Sequence, residues 1–137
     1  MRSFSTTLII FLLISVVLAY EGYSETSSLI PKEWEIIAQK DRGDHYVADV
    51  LVPNDKSKEY FIDEFKNISK ALGSKTAVIR VYTSKEAYVK VQHDAWDDIA
   101  RSGYIIYYVK GRYSSEIRWM AEKGKFGSLF GTKIEIR

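Results

Sequence analysis

Residues 45–82 read HYVADVLVPNDKSKEYFIDEFKNISKALGSKTAVIRVY, and this stretch decides the fold. It begins with an apolar, β-branched run at 45–52 and ends with a similar run at 76–82, each typical of a short strand. Between them, apolar side chains recur at the spacing of one helical face: Phe61, Phe65, Ile68 and Leu72. The stretch therefore predicts a strand–helix–strand unit, and we expect a right-handed crossover if the strands pair in parallel.

The ends of this helix are also marked in the sequence. Asn54, Asp55 and Ser57 are three candidate N-caps, and Gly73 is the expected C-cap. Acidic residues lie early in the helix and lysines lie late, as the helix dipole favours.

A predicted hairpin precedes this unit. Trp34, Ile36 and Ala38 alternate with their neighbours at the period of a strand, and a turn cluster at 41–44 joins this strand to the run that begins at His45.

A second helix is predicted after the unit. Thr83 and Glu86 are spaced as a capping box, and an apolar stripe at Tyr88, Val91, Ala95 and Ile99 then extends the helix to about residue 101. A break near Asp94 is the alternative, because aspartate is also able to cap a new turn.

Three more strands are predicted, at 104–109, 117–120 and 132–136. The expected fold class is α+β, with the element order β-β-α-β-α-β-β-β. We expect a mixed sheet of about five or six strands with both helices packed on one face. The glycine-rich segment 124–133 has the wrong order for a phosphate loop, and we expect Phe126 and Phe130 to pack back onto the core.

The first 19 residues resemble an export signal rather than part of the fold. Arg2 precedes a twelve-residue run, 8–19, that is apolar except for Ser15 and is too short to span a bilayer. Two cleavage positions are open, after Ala19 and after Ser24, and an uncleaved anchor or a buried helix is the alternative interpretation. We expect residues 20–33 to be a flexible lead-in, residues 34–137 to be a single domain, and the protein to be periplasmic or secreted.

Composition narrows the chemistry. The chain has 137 residues, no cysteine and two histidines, which excludes disulfides, thiolate metal sites and cysteine nucleophiles. His93, Asp94 and Asp97 are weak candidates for a metal site, because His93 and Asp97 are four residues apart on the predicted helix. His45 and His93, each near an aspartate, are candidate bases for a hydrolase, but no nucleophile motif accompanies them. No catalytic residue and no cofactor are predicted.

Charge is distributed unevenly along the chain. Residues 101–137 carry eight basic and three acidic side chains, whereas residues 20–100 carry eleven basic and fifteen acidic ones. Aromatic rings are interleaved with the basic residues, a combination that binds anionic polymers by ion pairing and ring stacking. The candidate binding residues are Lys110, Arg112, Tyr113, Arg118 and Trp119.

The sequence favours a small exported domain without catalytic activity that binds a protein partner, since Tyr, Trp and Arg dominate interface energies. An alternative is a binder of an anionic polymer or a lipid surface, with nucleic acid disfavoured for an exported protein. A small hydrolase or metal-dependent enzyme is a second alternative. The protein is expected to be a monomer or a dimer paired through the half-exposed terminal strand.

Overall fold

The computed structural model describes residues 29–137, so the predicted signal at 1–19 and most of the predicted lead-in lie outside the described residues. Six strands form one sheet in the spatial order β1-β2-β3-β4-β5-β6. The strands are β1 (Glu35–Asp41), β2 (His45–Leu51), β3 (Thr76–Tyr82), β4 (Tyr104–Lys110), β5 (Ser115–Trp119) and β6 (Lys133–Ile136). The helices in this range are α1 (Lys58–Leu72), α2 (Lys85–Gln92) and α3 (Asp98–Gly103).

The β2–α1–β3 unit forms as predicted. β2 and β3 pair in parallel, with Tyr46 opposite Ala77 and Val50 opposite Val81. Ser57 caps α1 by accepting a hydrogen bond from a backbone N–H, and Gly73 ends the helix at a φ of 60°. The four predicted apolar residues of α1 are all buried, so the sequence stripe is the face that packs on the sheet.

The other neighbouring strands pair antiparallel, which makes the sheet mixed. One face of the sheet, here called the helix face, is covered by α1. Phe65 of α1 stacks on Tyr108 with ring centroids 4.5 Å apart, and Phe61 meets Trp119 edge-on at 6.2 Å. The buried strand residues of this face are Tyr46, Ala48, Val50, Ala77, Ile79, Val81, Ile106, Tyr108, Ile117 and Trp119.

The second predicted helix differs from expectation at both of its ends. Ser84, not Thr83, is its N-cap, and the Ser84 hydroxyl accepts from the Ala87 N–H, so the predicted Thr83–Glu86 capping box is wrong. The helix also breaks instead of continuing to residue 101. Asp94 adopts a left-handed φ of 56°, and Asp97 then caps α3 through the Ala100 N–H.

The two predicted helices lie on opposite faces of the sheet, whereas one shared face was expected. Tyr82 follows Val81 in β3, so strand alternation turns it away from α1. A register shift at this point lets Tyr104 pair with Tyr82, and the two rings stack with centroids 4.9 Å apart. Tyr88 and Val91 of α2 pack around these two tyrosines. Helices α2 and α3 approach each other closely at Gly103 of α3, where an added Cβ would lie 2.5 Å from the Ala87 Cβ of α2.

The glycine-rich segment is a loop, as predicted, and contains a short 3-10 helix at Gly127–Leu129. Phe126 stacks on Trp119 with a centroid distance of 5.3 Å, but Phe130 is 52% exposed, so only the first of the two expected core contacts forms. Pro31–Arg137 form one compact unit, a small single α+β domain. Across residues 29–137, no helix is both long enough and apolar enough to cross a bilayer.

Candidate anion-binding site

A basic cleft lies at the edge of the sheet where α1 and β4 both end. Lys110 is the last residue of β4 and pairs with Ala77 near the start of β3, so the end of β4 lies close to the end of α1. The turn at 111–114 and the end of β6 close the remaining sides. The cleft has a volume of about 300 Å³ and is lined by Lys66, Ser69, Lys70, Gly73, Lys110, Arg112, Tyr113, Ser114, Ser115, Ile136 and Arg137.

Five of these lining residues are cationic, and none of the lining residues that the structure describes is acidic. Lys66 and Lys70 are four residues apart on α1, so they lie on one side of the helix about one turn apart. Arg137 reaches Glu135 at 3.5 Å, a long and exposed contact. The charges therefore add to a local positive potential at the cleft.

Lys110 is the most buried of the five cations, with 6% of its surface exposed. Its Nζ donates a hydrogen bond to the backbone carbonyl of Gly111 at 3.1 Å. Within residues 29–137 it forms no ion pair. A lysine ammonium has three donors, and the bond to Gly111 uses one of them.

Hydroxyl groups form the floor of the cleft. Ser115 Oγ donates to the Ile136 carbonyl at 3.1 Å and lies 3.1 Å from Ser69 Oγ. Tyr108 is two residues before Lys110 on the same strand face, and burial raises the pKa of its phenol while the hydroxyls of Ser69 and Ser115 oppose that rise. The tyrosine is therefore neutral and does not cancel the positive charge above it.

The turn between β4 and β5 carries an arginine and an aromatic ring at the rim of the cleft. The turn is closed by a hydrogen bond from the Gly111 N–H to the Ser114 carbonyl at 2.8 Å. The Arg112 guanidinium carbon lies 5.7 Å from the centroid of the Tyr113 ring. Tyr113 is 91% exposed, so packing within the domain does not account for its position.

The structure brings together three of the five predicted binding residues, Lys110, Arg112 and Tyr113. Arg118 lies on the opposite sheet face, where it pairs with Glu116 at 2.9 Å and lies over the Tyr107 ring. Trp119 is fully buried in the core, so its ring is not available to a surface ligand.

Sequence reasoning missed Lys66, Lys70 and Arg137 as site residues. From the sequence, the two lysines are explained by the helix dipole alone. Their i, i+4 spacing at the helix end was the available signal, but nothing local linked them to a turn 40 residues later in the chain.

The predicted metal candidates are engaged in helix termination and capping. His93 is the C-cap of α2, and Asp94 accepts a hydrogen bond from the Trp96 indole at 2.6 Å. Asp97 caps α3 and pairs with Lys90. In the part of the chain that the structure describes, no three His, Asp or Glu side chains converge on a point where a metal ion would fit.

The histidine at the start of β2 has a structural neighbour. His45 Nδ1 lies 2.6 Å from Thr76 Oγ1 on the adjacent strand, a contact that ties the two parallel strands together. The nearby Asp49 is bound by Arg80.

Comparison of the chain with protein-family models, with curated proteins and with solved structures gives no match, so the functional argument rests on the cleft.

Proposed function

We propose that this domain binds an anionic ligand in the basic cleft. The observation that carries the proposal is Lys110, a nearly buried residue that forms no ion pair within the described residues and lines the cleft with four other cations. Removing a charge from water is unfavourable unless a partner is supplied. A bound phosphate, sulfate or carboxylate would supply that partner, and the mutual repulsion of the five cations would fall on binding.

The ligand class is that of a small anion or one anionic unit of a polymer. Lys66, Lys70 and Arg137 are exposed at the rim, which leaves the cleft open to a chain that continues beyond it. Arg112 has the planar donor geometry that matches phosphate or carboxylate oxygens in pairs. An exported location would make envelope or extracellular polymers the natural source of such a ligand.

The test is calorimetric titration with sodium tripolyphosphate, a compact polyanion. The cleft variant carries Lys66→Gln and Lys70→Gln, and the control variant carries Lys40→Gln and Lys133→Gln, two exposed lysines outside the cleft. Both variants lose the same net charge. We expect the cleft variant to bind about tenfold more weakly and the control to stay within about twofold of the natural protein.

Salt gives a second readout of the same proposal. Affinity for tripolyphosphate is expected to fall steadily as sodium chloride is raised from low to physiological concentration, because the other four cations of the cleft are exposed and are screened by salt. Equal weakening in both double variants would assign the binding to overall charge and not to the cleft, and affinity that ignores salt would contradict an ionic site.

The predicted role in binding a protein partner is the second candidate, and a separate surface favours it. Val89, Trp96 and Ile99 around the α2–α3 junction are each more than a third exposed. Exposed apolar side chains of this kind contribute to protein interfaces. A Trp96→Ala variant that keeps full affinity for tripolyphosphate but loses a partner captured by the natural protein would separate the two roles.

A further inference from the structure

The exposed Tyr113 ring at the rim of the cleft indicates that the ligand has a group besides its anion. Tyr113 lines the cleft and is 91% exposed, on a turn whose other functional side chain is Arg112. Isolated exposed aromatic residues are common on protein surfaces. This one differs because its ring borders a cation cluster that already has the features of a binding site.

The cleft is larger than a simple anion requires. Its volume of about 300 Å³ is at the lower end of the range for sites that hold small organic molecules. Lys110 and Tyr113 both line this volume. A molecule that fills the cleft would therefore have a second part beside its anionic group.

The residues that line the cleft indicate which chemical groups the two parts of the ligand would be. A phosphate monoester carries a charge of about −1.5 to −2 and three acceptor oxygens, which suits a cluster of five cations better than a single carboxylate does. The face of a tyrosine ring is electron-rich and attracts the polarised C–H groups on the flat face of a sugar ring. The Arg112 guanidinium carbon lies 5.7 Å from the centroid of that ring, so a group able to bind phosphate oxygens lies beside it.

We infer that the ligand of the cleft is a phosphorylated sugar, whose phosphate is bound by the cations around Lys110 and whose ring stacks on Tyr113. This inference rests on the proposed anion-binding function and adds the identity of the ligand's second part. The sugar phosphate is either a free monoester or one unit of a phosphate-linked polymer. Both present phosphate oxygens and a sugar ring to the site, but the polymer unit is a diester and carries a single charge.

The experiment compares two probes that differ in the ring. Glucose 6-phosphate is cyclic in water, and sorbitol 6-phosphate is an open chain of the same charge and nearly the same composition. We expect the natural protein to bind the cyclic compound about fivefold more tightly, the size of a modest stacking interaction. The Tyr113→Leu variant should lose this preference while keeping its affinity for sorbitol 6-phosphate, and Tyr113→Phe should retain the preference.

The outcomes separate the inference from the function on which it rests. If both probes bind equally, or if tripolyphosphate binds and neither sugar phosphate does, the sugar inference is overturned and the anion site stands. If neither tripolyphosphate nor a sugar phosphate binds, the proposed function fails as well. With the ring preference present, tighter binding of glucose 6-phosphate indicates a free ligand, whereas tighter binding of its methyl diester indicates a polymer unit.

Discussion

Two charged residues in this domain, Asp49 and Lys110, are almost completely buried, and they differ in whether the fold supplies a partner of opposite charge. Asp49 is 5% exposed and receives two hydrogen bonds from Arg80, at 2.7 and 3.1 Å. Lys110 is 6% exposed and donates to a backbone carbonyl, with no carboxylate partner in the described range. The first charge is neutralised within the fold. The second has no neutralising partner among the residues that the structure describes.

The same contrast separates the two ends of the sheet. Around α2 and α3, charges are matched in pairs: Lys90 with Asp97, Lys123 with Asp98, and Arg101 with Glu122. At the cleft, five cations meet with no acidic lining residue among those described. The basic excess of residues 101–137 is therefore cancelled in one place and concentrated in another, which a count along the chain does not distinguish.

The largest expected effect comes from breaking the paired charge. Arg80→Met leaves the Asp49 carboxylate buried without its partner. We expect the free energy of unfolding to fall by about 2 kcal/mol, less than for a fully buried pair, because the Arg80 side chain is 35% exposed and solvent screens it in part. Urea denaturation measures the change. Adding Asp49→Leu should recover most of the loss, because replacing both members by apolar residues is often close to neutral. A loss below about 1 kcal/mol for Arg80→Met would show that solvent screens this pair as it does a surface one.

Replacing Lys110, which has no ion-pair partner in the described range, should have little effect on stability but a clear effect on binding. Lys110→Met keeps the aliphatic volume and breaks no ion pair in the described range, so we expect stability to stay within about 1 kcal/mol of the natural protein or to rise. Affinity for tripolyphosphate should fall about tenfold. Urea denaturation and calorimetry on the same sample give both values. If Lys110→Met costs as much stability as Arg80→Met, then Lys110 is a structural residue and the contrast fails.

The fold was predictable where apolar spacing alone determines structure. The stripe from Phe61 to Leu72 and the two flanking β-branched runs were sufficient for β2, α1 and β3. The sequence predicts the break after α2 only as an alternative, because Ala95 and Ile99 continue the helical spacing through it. It depends on the left-handed backbone of Asp94, which apolar periodicity does not report. The sheet face on which α2 packs depends on the register of the strands, which the sequence pattern does not predict.

The site was predictable only in part, for a reason of geometry. Side chains on a strand alternate between faces, so the basic segment 110–119 was bound to divide: Arg118 points to one side of the sheet and Trp119 to the other. Arg112 and Tyr113 lie in the turn, where this alternation does not apply, and both line the cleft. Lys66 and Lys70 join them because the pairing of β3 with β4 brings two distant segments together.

The smallest expected effect concerns the paired charges around α2 and α3. The Lys90 ammonium holds the pKa of Asp97 below its ordinary value of 3.8, and the Ala100 N–H that Asp97 caps acts in the same direction. Because the folded pKa is lowered, the stabilisation is present above the ordinary carboxyl range and is lost as pH falls through the lowered value. The Lys90→Met variant should raise the Asp97 pKa toward 3.8, with the remaining depression due to the cap.

Carbon-detected NMR titration of the Asp97 carboxyl measures this change. Lys85→Met is the matched control, since Lys85 is also on α2 but pairs with Glu35. We expect the control to leave the Asp97 titration unchanged, and both variants to bind tripolyphosphate as the natural protein does, because neither lysine lines the cleft. A weakened affinity in Lys90→Met would mean that the basic potential extends over the whole surface, and the division between a neutralised end and a binding end would no longer hold.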